Sequence, residues 1–215
     1  MSNIKYDPSK LEDNPAFDGV RTLLSRPLLE PIDYLNYFSE VSSDINTLLK
    51  PMYELAKSVS AKTIVELGTR WGNSTIALLI YCHYNNKELN THLYSVDIED
   101  CHVAISIIKA LGLERYWTFT QINDMEYIKE WRDNKGNKGI DLLFIDTDHT
   151  YELTRKELEL YSPYVNIGGV ILFHDSTTEG VKMGWEEFLI DHKNWISIDD
   201  DKFMPLTGKV IKRII

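Results

Sequence analysis

Ile140-Asp141-Leu142-Leu143-Phe144-Ile145 runs without interruption into Asp146-Thr147-Asp148-His149. A second apolar run, Gly168-Gly169-Val170-Ile171-Leu172-Phe173, ends in the same manner in His174-Asp175-Ser176. Short continuous apolar runs of this kind read as strands buried on both faces, the pattern of a parallel sheet covered by helices. In open α/β sheets, ligands bind beyond the carboxyl ends of the strands. Asp146, His149, His174 and Asp175 are therefore expected to crowd one rim of one sheet. Two carboxylates and two imidazoles on a rim suit a metal site or an acid/base site.

Outward from these runs the chain alternates. Thr63-Ile64-Val65-Glu66-Leu67 reads as a strand and Ser74 to Tyr84 as an apolar helix. His92-Leu93-Tyr94-Ser95-Val96 reads as a strand ending at Asp97, followed by a helix from Val103 to Leu111. Tyr116 to Thr120 is a strand, Met125 to Arg132 a helix, and Asn134 to Gly139 a loop. A helix from Thr150 to Tyr161 separates the two runs quoted first. Such alternation means a parallel sheet with helices on both faces. After a helix from Val181 to Asp191, Trp195-Ile196-Ser197-Ile198 and Lys209 to Ile214 read as an antiparallel hairpin at the sheet edge, joined by an Asp-rich turn.

Ahead of the first strand, residues 33 to 59 carry apolar residues at helical spacing, with a break expected at Pro51. Residues 1 to about 30, with Pro8, Pro15 and Pro27 and with Pro31 just beyond, read as an irregular arm. The expected division is residues 1–60 as arm and helices, serving as lid, acceptor pocket or dimer contact, and residues 61–215 as the main domain.

The chain has 215 residues, enough for one large domain, with 43% hydrophobic and 26% charged residues, which is ordinary globular usage. A net charge of -10 argues against phosphate-backbone binding, which needs a cationic surface. No apolar run reaches transmembrane length and no signal-peptide pattern opens the chain, so a cytoplasmic protein with no membrane partner is expected. Cys82 and Cys101 read as free thiols. The aromatic helices from Tyr34 to Leu55 could serve a homo-oligomer as well as a lid.

The first strand leads into Glu66-Leu67-Gly68-Thr69-Arg70-Trp71-Gly72-Asn73-Ser74-Thr75. Gly68 and Gly72 let backbone approach a ligand closely, and the next helix offers free N–H groups; plain turn glycines are the other reading. The spacing is neither the dinucleotide pattern G-x-G-x-x-G nor a Walker loop. Glu66 suits a cationic ligand or a ligand amine and repels pyrophosphate. Asp97 sits where a carboxylate takes ribose hydroxyls in nucleotide-binding sheets, or it caps the following helix.

Val65-Glu66-Leu67-Gly68-Thr69-Arg70-Trp71-Gly72-Asn73-Ser74 resembles the S-adenosylmethionine loop of class I methyltransferases. Ser95-Val96-Asp97 resembles their second motif. Ile122-Asn123-Asp124-Met125 is similar to the segment that contacts adenine, although Asp124 also reads as a cap. The resemblance runs from about Thr63 to the C terminus. It implies a Rossmann-like, mostly parallel seven-stranded sheet of order 3-2-1-4-5-7-6 with a closing antiparallel hairpin. It also implies S-adenosylmethionine as cofactor, held by Glu66, Gly68, Thr69, Gly72, Ser74, Asp97, Asp124 and Met125.

Phe144-Ile145-Asp146-Thr147-Asp148-His149-Thr150-Tyr151 and Phe173-His174-Asp175 resemble a narrower group. These are the metal-dependent small-molecule O-methyltransferases related to the cephalosporin-hydroxylase, rhamnosyl and macrolide-sugar enzymes. That resemblance implies Asp146 and Asp175 as ligands of a divalent ion, expected to be Mg²⁺, and His149 as general base. His174 stands where the group often carries an acid, and is read either as the third ligand or as a packed imidazole. Asp148 is expected to cap the helix that begins near Thr150.

Physical chemistry agrees with the transfer. A hydroxyl is a poor nucleophile near neutral pH, and a hard cation lowers the pKa of a bound hydroxyl. A neutral imidazole accepts the proton, and positioning for in-line attack supplies much of the remaining rate. The expected function is methyl transfer to a hydroxyl of a small molecule, a sugar or a secondary metabolite. A nicotinamide-dependent oxidoreductase and a non-catalytic S-adenosylmethionine- or nucleotide-binding protein are the competing readings.

Overall fold

A computed structural model describes residues 30–41, 43–134, 138–198 and 208–215. The arm before residue 30, the middle of the 134–139 loop and the Asp-rich turn of the hairpin fall outside the described residues.

Two helices, α1 (Pro31–Glu40) and α2 (Asn46–Ser58), precede the alternation. It then runs β1 (Thr63–Leu67), α3 (Asn73–Leu89), β2 (His92–Asp97), α4 (His102–Ala110), β3 (Trp117–Gln121), α5 (Asp124–Asn134) and β4 (Ile140–Ile145). It ends with α6 (Tyr151–Tyr161), β5 (Val165–Phe173), α7 (Glu179–Asp191), β6 (Trp195–Ile198) and β7 (Lys209–Arg213). The strands form one seven-stranded sheet in the order β3-β2-β1-β4-β5-β7-β6, as the resemblance implies. β3, β2, β1, β4 and β5 are mutually parallel, and β7 runs antiparallel to β5 and to β6.

The uninterrupted apolar runs follow from burial on both faces. Successive residues of a strand point to opposite sides. Ile64, Leu142, Phe144 and Leu172 meet one layer, which includes Leu49, Met52, Ile76 and Ile108 of α2, α3 and α4. Val65, Leu143, Ile145, Ile171 and Phe173 meet the other, built from Trp131, Leu158, Tyr161 and Phe188 of α5, α6 and α7.

Three local expectations are corrected. Pro51 does not break the helical stretch; the break falls at residues 41–45, and Pro51 lies within α2. An interior proline costs about 3 kcal/mol, while fully burying a side chain such as leucine stabilises by about 1.5–3 kcal/mol. Leu48, Leu49, Met52 and Leu55 are all buried along that helix, so packing wins. The second apolar run starts earlier than Gly168, at Val165. Pairing passes from Ile140↔Val165 to Leu142↔Val170, so the intervening β5 residues bulge, with Gly168 at φ +85°. Asp148 is not the cap of α6. Thr150 has extended backbone there, and its Oγ1 accepts from Leu153 N at 3.4 Å, leaving Asp148 exposed outside the helix.

Cys82 and Cys101 are buried free thiols. No helix among the described residues is long and apolar enough to cross a membrane.

Candidate active site

The glycine loop between β1 and α3 is fixed from three sides. Gly68 N donates to Val96 O and Asp146 N donates to Leu67 O, each at 2.9 Å, so the ends of β2 and β4 flank it. Gly68 has φ +90°, and a Cβ placed there would stand 2.0 Å from the Asp146 carbonyl oxygen. The residue that opens the glycine loop and the residue that opens the acidic rim are therefore in direct backbone contact. Gly72, at φ +83°, precedes the first turn of α3, and a Cβ there would stand 2.7 Å from that of Ala104 on α4.

Glu66 has no exposed surface. Its carboxyl accepts from Ser74 Oγ at 2.6 Å, from Thr75 Oγ1 at 2.8 Å and from the Ser95 hydroxyl, and Ser95 Oγ in turn accepts from Trp117 Nε1 at 2.8 Å. Burial pushes this carboxyl up to about 7, against the pull of the three hydroxyls. All three of these hydroxyl partners belong to the protein itself. The side chain is turned into the protein and, with Ser74, ties the first turn of α3 to β1 and β2.

Asp97 ends β2 as expected, but it does not cap α4, whose N-cap is Cys101. Its Oδ2 accepts from Thr69 N at 2.8 Å and Arg70 N at 2.9 Å, and its Oδ1 from Glu99 N at 2.9 Å. Burial works to raise this carboxyl, yet the backbone donors Glu99, Arg70 and Thr69 outweigh it and hold the group below the usual range. Asp97 thus shapes the loop in which Arg70 adopts φ +47°. Just past the end of β3, Ile122 N donates to Asp97 O at 2.9 Å. The start of α5 is served by Asn123, whose Oδ1 accepts from Met125 N at 2.9 Å, so Asp124 is free of capping duty. Met125 is half-buried beside it.

The rim forms as expected. β4 and β5 are neighbours in register, Ile145 beside Phe173, so Asp146 and His174 emerge together. His174 Nδ1 lies 2.9 Å from Asp146 Oδ1 and 3.6 Å from Asp175 Oδ2. His149 lies between the two acids, its Nε2 3.6 Å from Asp146 Oδ1 and its Nδ1 3.5 Å from Asp175 Oδ2. Asp175 sits at φ +44°. One atom each from Asp146, His149 and His174 lie within 4.8 Å of one another. Neighbouring donors around an ion bound at about 2.0–2.2 Å stand roughly 3 Å apart, so this carboxylate and these two imidazoles are close enough to converge on a divalent cation.

Charge is shared across the rim. Burial raises the Asp146 carboxyl, but the neighbouring His149 and His174 imidazoles outweigh it and hold the group below its ordinary value. The Asp146 carboxylate beside it raises His149. Burial lowers His174, but Asp146 and Asp175 reverse the sign and raise it. His174 is both packed and directed at the acids, and its Nε2 lies 3.3 Å from the Asp44 carbonyl oxygen. The Asp44 carboxylate also accepts from Arg70 Nη1 at 3.1 Å, so the α1–α2 connection reaches both the rim and the glycine loop.

Sequence reasoning missed Asp44, Thr147 and Glu157. Thr147 Oγ1 donates to Glu157 Oε1 at 2.6 Å. Glu157 carried a legible signal, because Thr154, Glu157, Leu158 and Tyr161 share the inward stripe of α6. Asp44 carried none, since its place depends on how α1 and α2 dock.

The chain matches the family described as "Methyltransferase domain" over residues 65–176, just over half its length, a span that holds the glycine loop and the whole rim. The O-methyltransferase from Bacillus cereus in complex with SAH shares 16% identity at TM-score 0.66, over 93% of this chain and 97% of that one. The O-methyltransferase TomG from Streptomyces achromogenes, involved in tomaymycin synthesis and solved with SAM, shares 16% identity at TM-score 0.66, over 95% and 99%. CalS11, a TDP-rhamnose 3'-O-methyltransferase of calicheamicin biosynthesis, shares 16% identity at TM-score 0.65, over 94% and 96%. A short match, 54% identical over 37 residues, joins the chain to the uncharacterized protein R132 of Acanthamoeba polyphaga mimivirus and covers 17% of each. With its glycine loop and acid-imidazole rim inside the matched span, the chain belongs to the methyltransferase-domain family.

Proposed function

We propose that the protein transfers the methyl group of S-adenosylmethionine to a hydroxyl of a small molecule, a sugar or a secondary metabolite. The observation that carries this reading is the backbone contact between Gly68 and Asp146, which sets the donor loop directly beside the rim. The similar O-methyltransferases solved with SAM or SAH, and the sugar-methylating CalS11, support it.

In this reading, Gly68, Thr69 and Gly72 present loop backbone to the cofactor, with Glu66 and Ser74 holding the loop from inside. Asp97 faces the ribose side and Asp124 and Met125 the adenine side. Asp146, His174 and Asp175 hold a divalent cation, which when bound lowers the pKa of an acceptor hydroxyl. Mg²⁺ is the expected ion, and the imidazole among the donors also suits Mn²⁺ or Zn²⁺. His149, between both acids and with part of its side chain exposed, accepts the hydroxyl proton as the acceptor oxygen attacks the sulfonium methyl and the C–S bond breaks. The connection between α1 and α2 shapes the acceptor side, supported by the reach of Asp44 to His174 and Arg70.

Calorimetry with S-adenosylmethionine and with NAD tests the cofactor. Binding of the first and not the second is expected; the reverse would make the protein an oxidoreductase. Asp146→Ala, or chelation of the wild type, should abolish turnover on a panel of hydroxyl acceptors while cofactor still binds. Full turnover in excess chelator would remove the cation from the mechanism. Cofactor binding with no transfer to any acceptor would favour a binding protein.

A further inference from the structure

Glu157 lies on the inward stripe of α6 with no exposed surface, and nothing in the proposed reaction uses it. Its Oε1 takes the Thr147 hydroxyl. Its Oε2 is buried and meets no donor among the described residues, and the same holds for Oδ2 of Asp124. Tyr161, one turn beyond Glu157 on α6, bonds the Asp124 carbonyl at 2.7 Å, so the two unpaired carboxyl oxygens lie in one buried layer, where the Asp124 carboxyl raises Glu157. Two carboxyl oxygens bond only when one carries a proton. Burial, with the nearby Asp124 and Asp148 carboxylates, keeps that proton on Glu157, well above the pH at which a free glutamate loses it.

The partners of Glu157 sit at two ends of the candidate site. Asp124 opens α5 two residues after Ile122, whose N–H donates to the Asp97 carbonyl. Its own carbonyl accepts from Tyr161 Oη at 2.7 Å. Thr147 stands between Asp146 and Asp148 on the rim. We propose that Glu157 is a positioning residue: one proton shared with Asp124 and one accepted from Thr147 brace the Ile122–Met125 turn against the acidic rim. The brace holds the two segments in one geometry. That this geometry serves cofactor and acceptor rests on the methyltransferase reading.

The structural claim is tested without cofactor. Glu157→Gln keeps a carbonyl for Thr147 and an N–H for Asp124; Glu157→Leu keeps the bulk and loses both bonds. Hydrogen exchange on the apo protein should show residues 122–125 and 147–149 losing protection together in Glu157→Leu, by about tenfold or more, with Glu157→Gln close to wild type. Loss confined to α6, or equal loss in both variants, would overturn the brace.

Calorimetry then reads its consequence. Glu157→Leu should bind S-adenosylmethionine about tenfold or more weakly, and Glu157→Gln within about threefold of wild type. Wild-type affinity should fall as alkaline pH strips the shared proton, because Asp124 and Asp148 face the new charge while Tyr127 and Tyr161 stay neutral; Glu157→Gln should not show this fall. Equal pH profiles would overturn the proposal even if Glu157→Leu fails to fold. A wild type that binds no S-adenosylmethionine would instead sink the methyltransferase reading, with the exchange experiment still deciding the brace.

Discussion

Replacing Glu66 by glutamine should change how stability depends on pH more than it changes stability itself. Burial lifts this carboxyl from its ordinary 4.5 to about 7 in the folded protein, even with Ser74, Thr75 and Ser95 donating to it. A raised folded value means the stabilising contribution is fully present below about pH 4.5 and is lost as pH rises through about 7. One pKa unit corresponds to about 1.4 kcal/mol, so the gap amounts to roughly 3 kcal/mol over the whole window. Glutamine carries no charge at any pH. Its carbonyl still accepts a hydroxyl, and its amide donates to a hydroxyl that rotates to accept. Imperfect pairing costs about 1 kcal/mol and does not vary with pH. Urea unfolding followed by circular dichroism, at half-unit steps from pH 4.5 to 8, gives both stability curves. Other titrating groups cancel in the difference. Glu66→Gln should gain on the wild type by about 2–3 kcal/mol from the acid to the alkaline end. A difference curve that is flat, or that slopes the other way, would refute a protonated, buried Glu66.

The remaining predictions concern the rim and the loop. His149→Ala should lower kcat by roughly 10²-fold with S-adenosylmethionine affinity unchanged, the usual scale for a general base; a near-wild-type rate would remove His149 from proton transfer. Gly68→Ala sets a Cβ 2.0 Å from the Asp146 carbonyl at φ +90°. The backbone strain alone costs about 1–3 kcal/mol, so thermal unfolding should shift down by several degrees and cofactor binding should be lost. An unchanged melting temperature would show that the contact between loop and rim is slack.

Much of the architecture was legible in residue patterns. The runs ending at Ile145 and Phe173 are apolar without alternation because helices cover both faces of the sheet. Parallel strands with intervening helices leave few topologies, so the rim of Asp146, His149, His174 and Asp175 could be foreseen. Local competition was harder to read. Thr150 rather than Asp148 caps α6, and α2 runs through Pro51, because packing of whole elements decides where each helix begins.

Function-bearing contacts divide along the same line. By itself, the sequence determined the alternation of strands and helices, the acids at the strand ends and the glycine loop beside them. These depend on hydrophobic period and on short-range spacing. Only the tertiary structure decided that Glu66 points inward to three hydroxyls, that Asp97 holds loop N–H groups, that Asp44 reaches His174, and that Glu157 takes the Thr147 hydroxyl. Each of these joins residues on different elements. A side chain's partner and charge state there follow from how the elements dock and how much water docking excludes, which no local pattern encodes.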